Sequence, residues 1–145
     1  MRLALLAVCL CALAPLVAGC RSAPTPVDWA REYPVDLVRA PKPLDIQVFR
    51  NARTLEFSNT TAKALPAGTL WINRRFALPF DGLAVGATFE RPLTDFRDEF
   101  SDPFRAGGFF AREAPDTVVM VELEVPAEQG PASVESFIVV KGTPD

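Results

Sequence analysis

After Pro43 the chain alternates apolar and polar positions with the two-residue period of β-strands. Gly, Pro and Asn separate the runs, which are Leu44–Phe49, Leu55–Ser58, Thr69–Phe80, Val118–Val125 and Val134–Lys141. Short strands at this spacing predict an all-β fold for residues 44–145, a small antiparallel β-sandwich in which each strand buries one face.

The run Thr69–Phe80 leaves two interpretations of Trp71 open. As one unbroken strand, it has a core face of even positions, and Trp71, Asn73 and Arg75 project together from the opposite face. That face is then a candidate recognition surface, because Trp and Arg are favoured at binding hot spots. A turn or bulge at Asn73-Arg74 instead reverses the phase, which places Trp71 in the core and both arginines in solvent.

The spacing from Phe57 to Trp71 resembles that of an immunoglobulin-like domain, in which a tryptophan on the third strand fills the core. The chain has neither the paired cysteines nor the corner tyrosine of that family. The resemblance therefore concerns the strand pattern alone, and it implies a buried Trp71.

An acidic and aromatic segment lies between Pro92 and Pro103. Leu93, Phe96 and Phe100 recur at i, i+3 and i+7, which predicts one short helix or helical turn near 93–102. We expect its apolar face to cover an open end of the sandwich and its carboxylates to face water.

The same carboxylates have a second interpretation as ligands of calcium, a hard cation that takes several oxygen ligands. Their spacing is not that of an EF-hand loop. The candidate ligands are Asp95, Asp98, Glu99 and Asp102.

Gly107 and Gly108 precede two bulky apolar residues, Phe109 and Phe110. One interpretation is a flexible loop that presents an insertable aromatic pair for binding. The other is a turn that leads a strand into the core, which we favour because most of the 11 Phe residues must be buried.

Histidine is absent from all 145 residues. Its absence excludes Ser-His and Cys-His catalysis and removes the commonest ligand of zinc, copper and haem iron. Paired carboxylates still permit glycoside hydrolysis, but a small sandwich offers neither a deep cleft nor an evident sugar platform. We therefore expect a protein that is not an enzyme and has no cofactor.

The first 19 residues have the layout of an export signal, with Arg2, an apolar run of about 15 residues from Leu3 to Val17, and the small pair Ala18-Gly19. The segment Leu16–Cys20 resembles the lipobox of bacterial lipoproteins. That resemblance implies a signal peptide at 1–19, acyl chains such as palmitate on Cys20, and a lipid-anchored place in the cell envelope. Arg21 follows Cys20 where an Asp would indicate the inner membrane, which favours the outer membrane if the source has one.

Removal of the signal also removes Arg2, which changes the formal charge from −3 to −4 (−3 − 1). An acidic chain of this kind does not indicate nucleic acid or an anionic lipid surface as a partner.

Residues 20–43 are rich in proline, which favours extended backbone, and they predict a semi-rigid tether. Arg21–Pro43 would reach ~70 Å if fully extended. In the alternative, the apolar residues between Trp29 and Val38 dock on the sandwich or pair as an edge strand.

These patterns predict a non-enzymatic envelope lipoprotein whose β-sandwich is a binding or assembly module for another envelope protein. The alternative is a calcium-dependent or carbohydrate-binding module that uses the carboxylates at 95–102.

Overall fold

The alternating runs form two β-sheets in a computed structural model that describes residues 25–127 and 129–140. The predicted signal and Cys20 lie outside the described residues. In chain order the strands are β1 (Val38–Arg39), β2 (Gln47–Asn51), β3 (Thr54–Ser58), β4 (Gly68–Ile72), β5 (Phe76–Phe80), β6 (Thr88–Pro92), β7 (Val121–Val125), β8 (Ser133–Ser136) and β9 (Ile138–Val140).

One sheet, here sheet A, has the strand order β1-β8-β7-β4-β5, and the other, sheet B, has the order β6-β3-β2-β9. Neighbouring strands are antiparallel except for the pairs β1–β8 and β2–β9, which are parallel. The predicted all-β sandwich is confirmed, with sheets that are mixed rather than purely antiparallel.

The core lies between the two sheets and is centred on Phe57 of β3. The Phe57 ring centroid lies 6.3 Å from that of Phe80 in sheet A, 4.8 Å from that of Phe89 and 5.2 Å from that of Phe137. Aromatic rings at these distances add to the stabilisation that burial of their apolar area provides. Phe57 therefore connects the two layers.

The run Thr69–Phe80 is a hairpin, and its interpretation as an unbroken strand is wrong. Ile72 pairs with Phe76, and residues 73–75 connect them with φ of 55° at both Asn73 and Arg74. Because this connection has three residues, an odd number, the even-numbered residues of β4 and of β5 lie on the same face of the sheet. The turn therefore does not reverse the phase, and Leu70, Ile72, Phe76 and Phe80 all join the core.

A helical turn is present in the acidic segment, as expected, but it is a 3₁₀ turn of only three residues, Leu93–Asp95. Phe96 is already extended, and Phe100 is 71% exposed instead of covering the core. Further along, Asp98 Oδ1 accepts the backbone N–H groups of Phe100 (3.0 Å) and Asp102 (2.9 Å). Such local side-chain acceptors compete with helix formation.

The fold predicts that Phe57→Ala lowers the free energy of unfolding by about 3–5 kcal/mol, because it leaves a cavity between the sheets. Phe49→Ala, on an adjacent strand but at an exposed position, is the matched control and should lose less than about 1 kcal/mol. Urea denaturation followed by circular dichroism measures both. Equal losses would contradict the central position of Phe57.

Candidate functional site

An N-terminal segment, residues 27–39, crosses the outer face of sheet A. Trp29 lies beside Leu78 and Pro79 of β5, Arg31 reaches Glu124 of β7, and β1 pairs with β8. The segment thus passes from the β5 edge to the β8 edge. In the described part of the predicted tether, the docked arrangement is the one observed.

Trp71 lies beneath this segment, on the face of β4 that points away from the core between the sheets. Its side chain is 0% exposed. The Tyr33 ring packs edge-on against it at 5.1 Å, the Arg31 guanidinium lies 5.0 Å from the ring centroid, and Trp71 Nε1 donates to Glu124 Oε2 at 2.7 Å. Trp71 is therefore buried by the chain's own N-terminal segment and not by the second sheet.

Glu122 is the cross-strand neighbour of Trp71 on β7 and is 1% exposed. Its Oε2 accepts hydrogen bonds from Tyr33 Oη (2.7 Å) and Arg74 Nε (3.2 Å). Its Oε1 accepts from Arg39 Nη1 (2.8 Å) and Arg74 Nη2 (3.1 Å). One carboxylate thus binds the N-terminal segment and the 73–75 turn together.

The surroundings of Glu122 keep it ionised. Burial by itself raises the pKa of this carboxyl, but the hydrogen bonds from Arg74 and Tyr33 and the charges of Arg74 and Arg39 outweigh burial and hold the pKa below its ordinary value. Burial and the hydrogen bond to Glu122 raise the pKa of Tyr33, so its hydroxyl remains protonated and donates. We call this arrangement of Glu122 with Tyr33, Arg39 and Arg74 the clamp. Its groups are paired with one another, so it contains no free base or nucleophile.

Asn73 and Arg75 do not form one surface with Trp71, so the structure contradicts the exposed recognition surface that an unbroken strand would create. Asn73 Nδ2 donates to the carbonyl of Thr117 at 2.7 Å, and its Oδ1 accepts the Val119 N–H at 3.0 Å. Arg75 remains largely exposed and pairs with Asp98 at 2.9 Å.

The candidate calcium ligands are not brought together as a ligand set. Asp98 is buried, and both of its carboxylate oxygens already accept hydrogen bonds, from two backbone N–H groups and from Arg75. Within residues 25–127 and 129–140, no group of three or more Asp, Glu, Cys or His side chains is placed to hold a metal ion. The four candidate calcium ligands, which therefore do not form a metal site among the described residues, are Asp95, Asp98, Glu99 and Asp102.

Phe109 and Phe110 are on the surface, so the expected turn into the core is wrong. They are 96% and 90% exposed, and their rings contact each other edge-on at 5.0 Å. The preceding Gly107 and Gly108 have φ of 83° and 126°, a region that favours glycine. The backbone conformation therefore turns the aromatic pair outward.

Sequence reasoning missed the outer face of sheet B, which the N-terminal segment does not cover. We call it the open face. Two rows of residues cross it in register: Val140, Phe49, Glu56 and Glu90 in one, and Ile138, Gln47, Ser58 and Thr88 in the other. The sequence did contain an indication of this face at Phe49. This residue is apolar, although in the alternation of the strand it shares a face with the solvent-facing residues Asp45 and Gln47.

No protein-family model matches this chain, and comparisons with curated proteins and with solved structures also found no match. Over the part of the chain that the structure describes, no helix is long and apolar enough to span a membrane.

The clamp predicts a pH-dependent stability. The pKa of Glu122 is lower in the folded than in the unfolded chain, so its stabilisation is fully present above the unfolded value, near 4.5, and is lost as the pH falls through the folded value. Glu122→Gln should lower the free energy of unfolding by about 1–3 kcal/mol near neutral pH. The difference from wild type should shrink as the pH falls below the unfolded value.

Urea titrations at several pH values measure this difference. Glu32→Gln is the control, because Glu32 is an exposed carboxyl that takes no part in the contacts of Glu122, and its difference from wild type should be small. A Glu122→Gln defect that is the same at neutral and acid pH would contradict the clamp.

Proposed function

We propose that this chain is a non-enzymatic lipoprotein of the bacterial cell envelope, in which acylated Cys20 anchors a β-sandwich that binds another envelope protein. The export-type run of residues 1–19 and the lipobox-like Leu16–Cys20 support the anchor. The proposed location is the outer membrane where the source has one, since Arg21 follows Cys20.

The observation that carries the binding role is the difference between the two outer faces of the sandwich. Sheet A is closed by residues 27–39, and its buried carboxylate Glu122 is fully paired. The residues that the structure describes place no such cover on the open face of sheet B, and Phe49 and Ile138 are exposed on it. Exposed apolar side chains within a polar surround are typical of interaction sites.

The open face is apolar on one side and acidic on the other. Phe49 and Val140 are neighbours on β2 and β9, while Glu56 and Glu90 lie directly opposite each other on β3 and β6. Like charges at opposed positions destabilise a sheet, so a cationic group above them would be bound favourably. The chemistry therefore fits a partner segment with both apolar and basic side chains.

The edges of sheet B favour one mode of binding. At one edge, β6 ends in Arg91 and Pro92, and proline and charge protect an edge strand from pairing. At the other edge, β9 leaves one side unpaired within the described residues. We propose that an extended partner segment adds beside β9 and that the partner chain continues from there across the open face, where its basic side chains reach Glu56 and Glu90.

Site-specific photocross-linking in native membranes tests this function. A photoreactive benzoylphenylalanine is placed at Phe49 and, as the control, at Val85, which is exposed in the loop between β5 and β6. We expect a discrete protein adduct from position 49 and none from position 85. The double change Glu56→Lys/Glu90→Lys should abolish that adduct, because it reverses the charge of the face.

Two results would contradict the proposal. One is identical adducts at both positions, or none at position 49. The other is a chain that carries no acyl group on Cys20, which intact mass of the membrane-extracted protein measures directly. Glu32→Lys/Asp36→Lys, which reverses two exposed charges on the segment that covers sheet A, controls for a general effect of charge and should leave the position-49 adduct unchanged.

A further inference from the structure

One end of the sandwich carries the three most exposed aromatic side chains. We call it the proximal end: it comprises the β2–β3 turn at 51–53, the hairpin turn at 73–75 and the long connection between β6 and β7. Phe100, Phe109 and Phe110 all lie on that connection and are exposed. The backbone N–H of Leu93 donates to the carbonyl of Arg53 at 2.8 Å, and Arg75 pairs with Asp98 at 2.9 Å, so the connection is fixed to both turns.

The chain leaves the described structure toward Cys20 at this same end. The backbone N–H of Val27 donates to Ser101 Oγ at 3.2 Å, and Ser101 directly follows Phe100. Five residue steps separate Thr25 from Cys20. At no more than ~3.6 Å per residue, they allow a separation of at most about 18 Å. An acyl chain on Cys20 would therefore hold the proximal end next to the bilayer.

We infer that the proximal end faces the membrane and that Phe109 and Phe110 insert into its lipid surface, with Phe100 beside the anchored chain. This inference rests on the lipid anchor of the proposed function. It adds an orientation, because the opposite end and the open face then point away from or along the membrane, where a protein partner has access.

The shape of the aromatic pair favours lipid over a protein groove as its occupant. Two adjacent phenylalanines that protrude almost completely from a turn provide a small convex contact, whereas protein–protein interfaces typically involve about 20–30 residues a side. The residues around the pair carry both charges: Arg53 lies next to Gly108, and Glu113 pairs with Arg105 at 3.0 Å. An uncharged lipid surface is therefore sufficient, and insertion adds a second contact to the acyl anchor.

A spin label on the loop measures the insertion. The mature chain has no cysteine other than Cys20, whose sulfur is acylated, so an introduced cysteine is the single reactive thiol. Ala111→Cys places the nitroxide next to the aromatic pair, and Ala62→Cys places it in the exposed loop at the opposite end. The full lipidated chain is reconstituted into phosphatidylcholine vesicles, and collision with oxygen and with a water-soluble nickel chelate is measured.

We expect the label at 111 to collide several-fold more with oxygen relative to nickel than the label at 62. Phe109→Ser/Phe110→Ser should reduce that ratio to the value at 62. Phe49→Ser, which removes an exposed phenylalanine away from the proximal end, should leave it unchanged.

The outcomes separate the inference from the proposed function. If intact mass shows an acylated Cys20 but the label at 111 collides with nickel as often as the label at 62, the membrane-facing orientation is wrong and the anchor stands. If Cys20 carries no acyl group, both are wrong. A ratio that the Phe109→Ser/Phe110→Ser change does not alter would also overturn the insertion of the aromatic pair.

Discussion

The burial of the Glu122 carboxylate on an outer face of the sandwich is the constraint on which the arrangement of the molecule depends. An ionised carboxylate removed from water costs several kcal/mol unless charged and hydrogen-bonding groups surround it. Tyr33 and Arg39 come from the N-terminal segment, and Arg74 comes from the 73–75 turn. Sheet A therefore accommodates Glu122 only while residues 27–39 cover it. The same cover buries Trp71, which has no place in the core between the sheets.

This constraint makes the two faces of the sandwich unequal. Sheet A is covered by a segment from the beginning of the described chain, whereas the open face of sheet B presents Phe49 and the Glu56–Glu90 pair to solvent. The docked segment also determines where the chain leaves the fold, at Val27 beside Ser101. Both the proposed partner surface and the proposed orientation at the membrane follow from the path of residues 27–39.

The sequence predicted the strands well, because alternation is a local property of the chain. A turn at Asn73-Arg74 was one of the two interpretations of its third run, but the expected reversal of phase was wrong, because a three-residue connection preserves the alternation of Ile72 and Phe76. The sequence did not reveal the role of Glu122, since alternation indicates only that a residue points away from the core. Its partner Tyr33 lies 89 residues away. The exposure of Phe109 and Phe110 was missed because an argument from phenylalanine content says nothing about individual positions, whereas the neighbouring glycines did indicate a turn.

The accessibility of Trp71 tests the central claim most directly. Trp29→Phe leaves Trp71 as the single tryptophan, since the chain has two, and acrylamide quenching of its fluorescence then reports the cover alone. We expect weak quenching, and much stronger quenching when Tyr33→Ala is added while the far-ultraviolet circular dichroism of the sheets is retained. Strong quenching of Trp71 in the folded Trp29→Phe chain would show that the N-terminal segment does not cover sheet A, and would contradict the account.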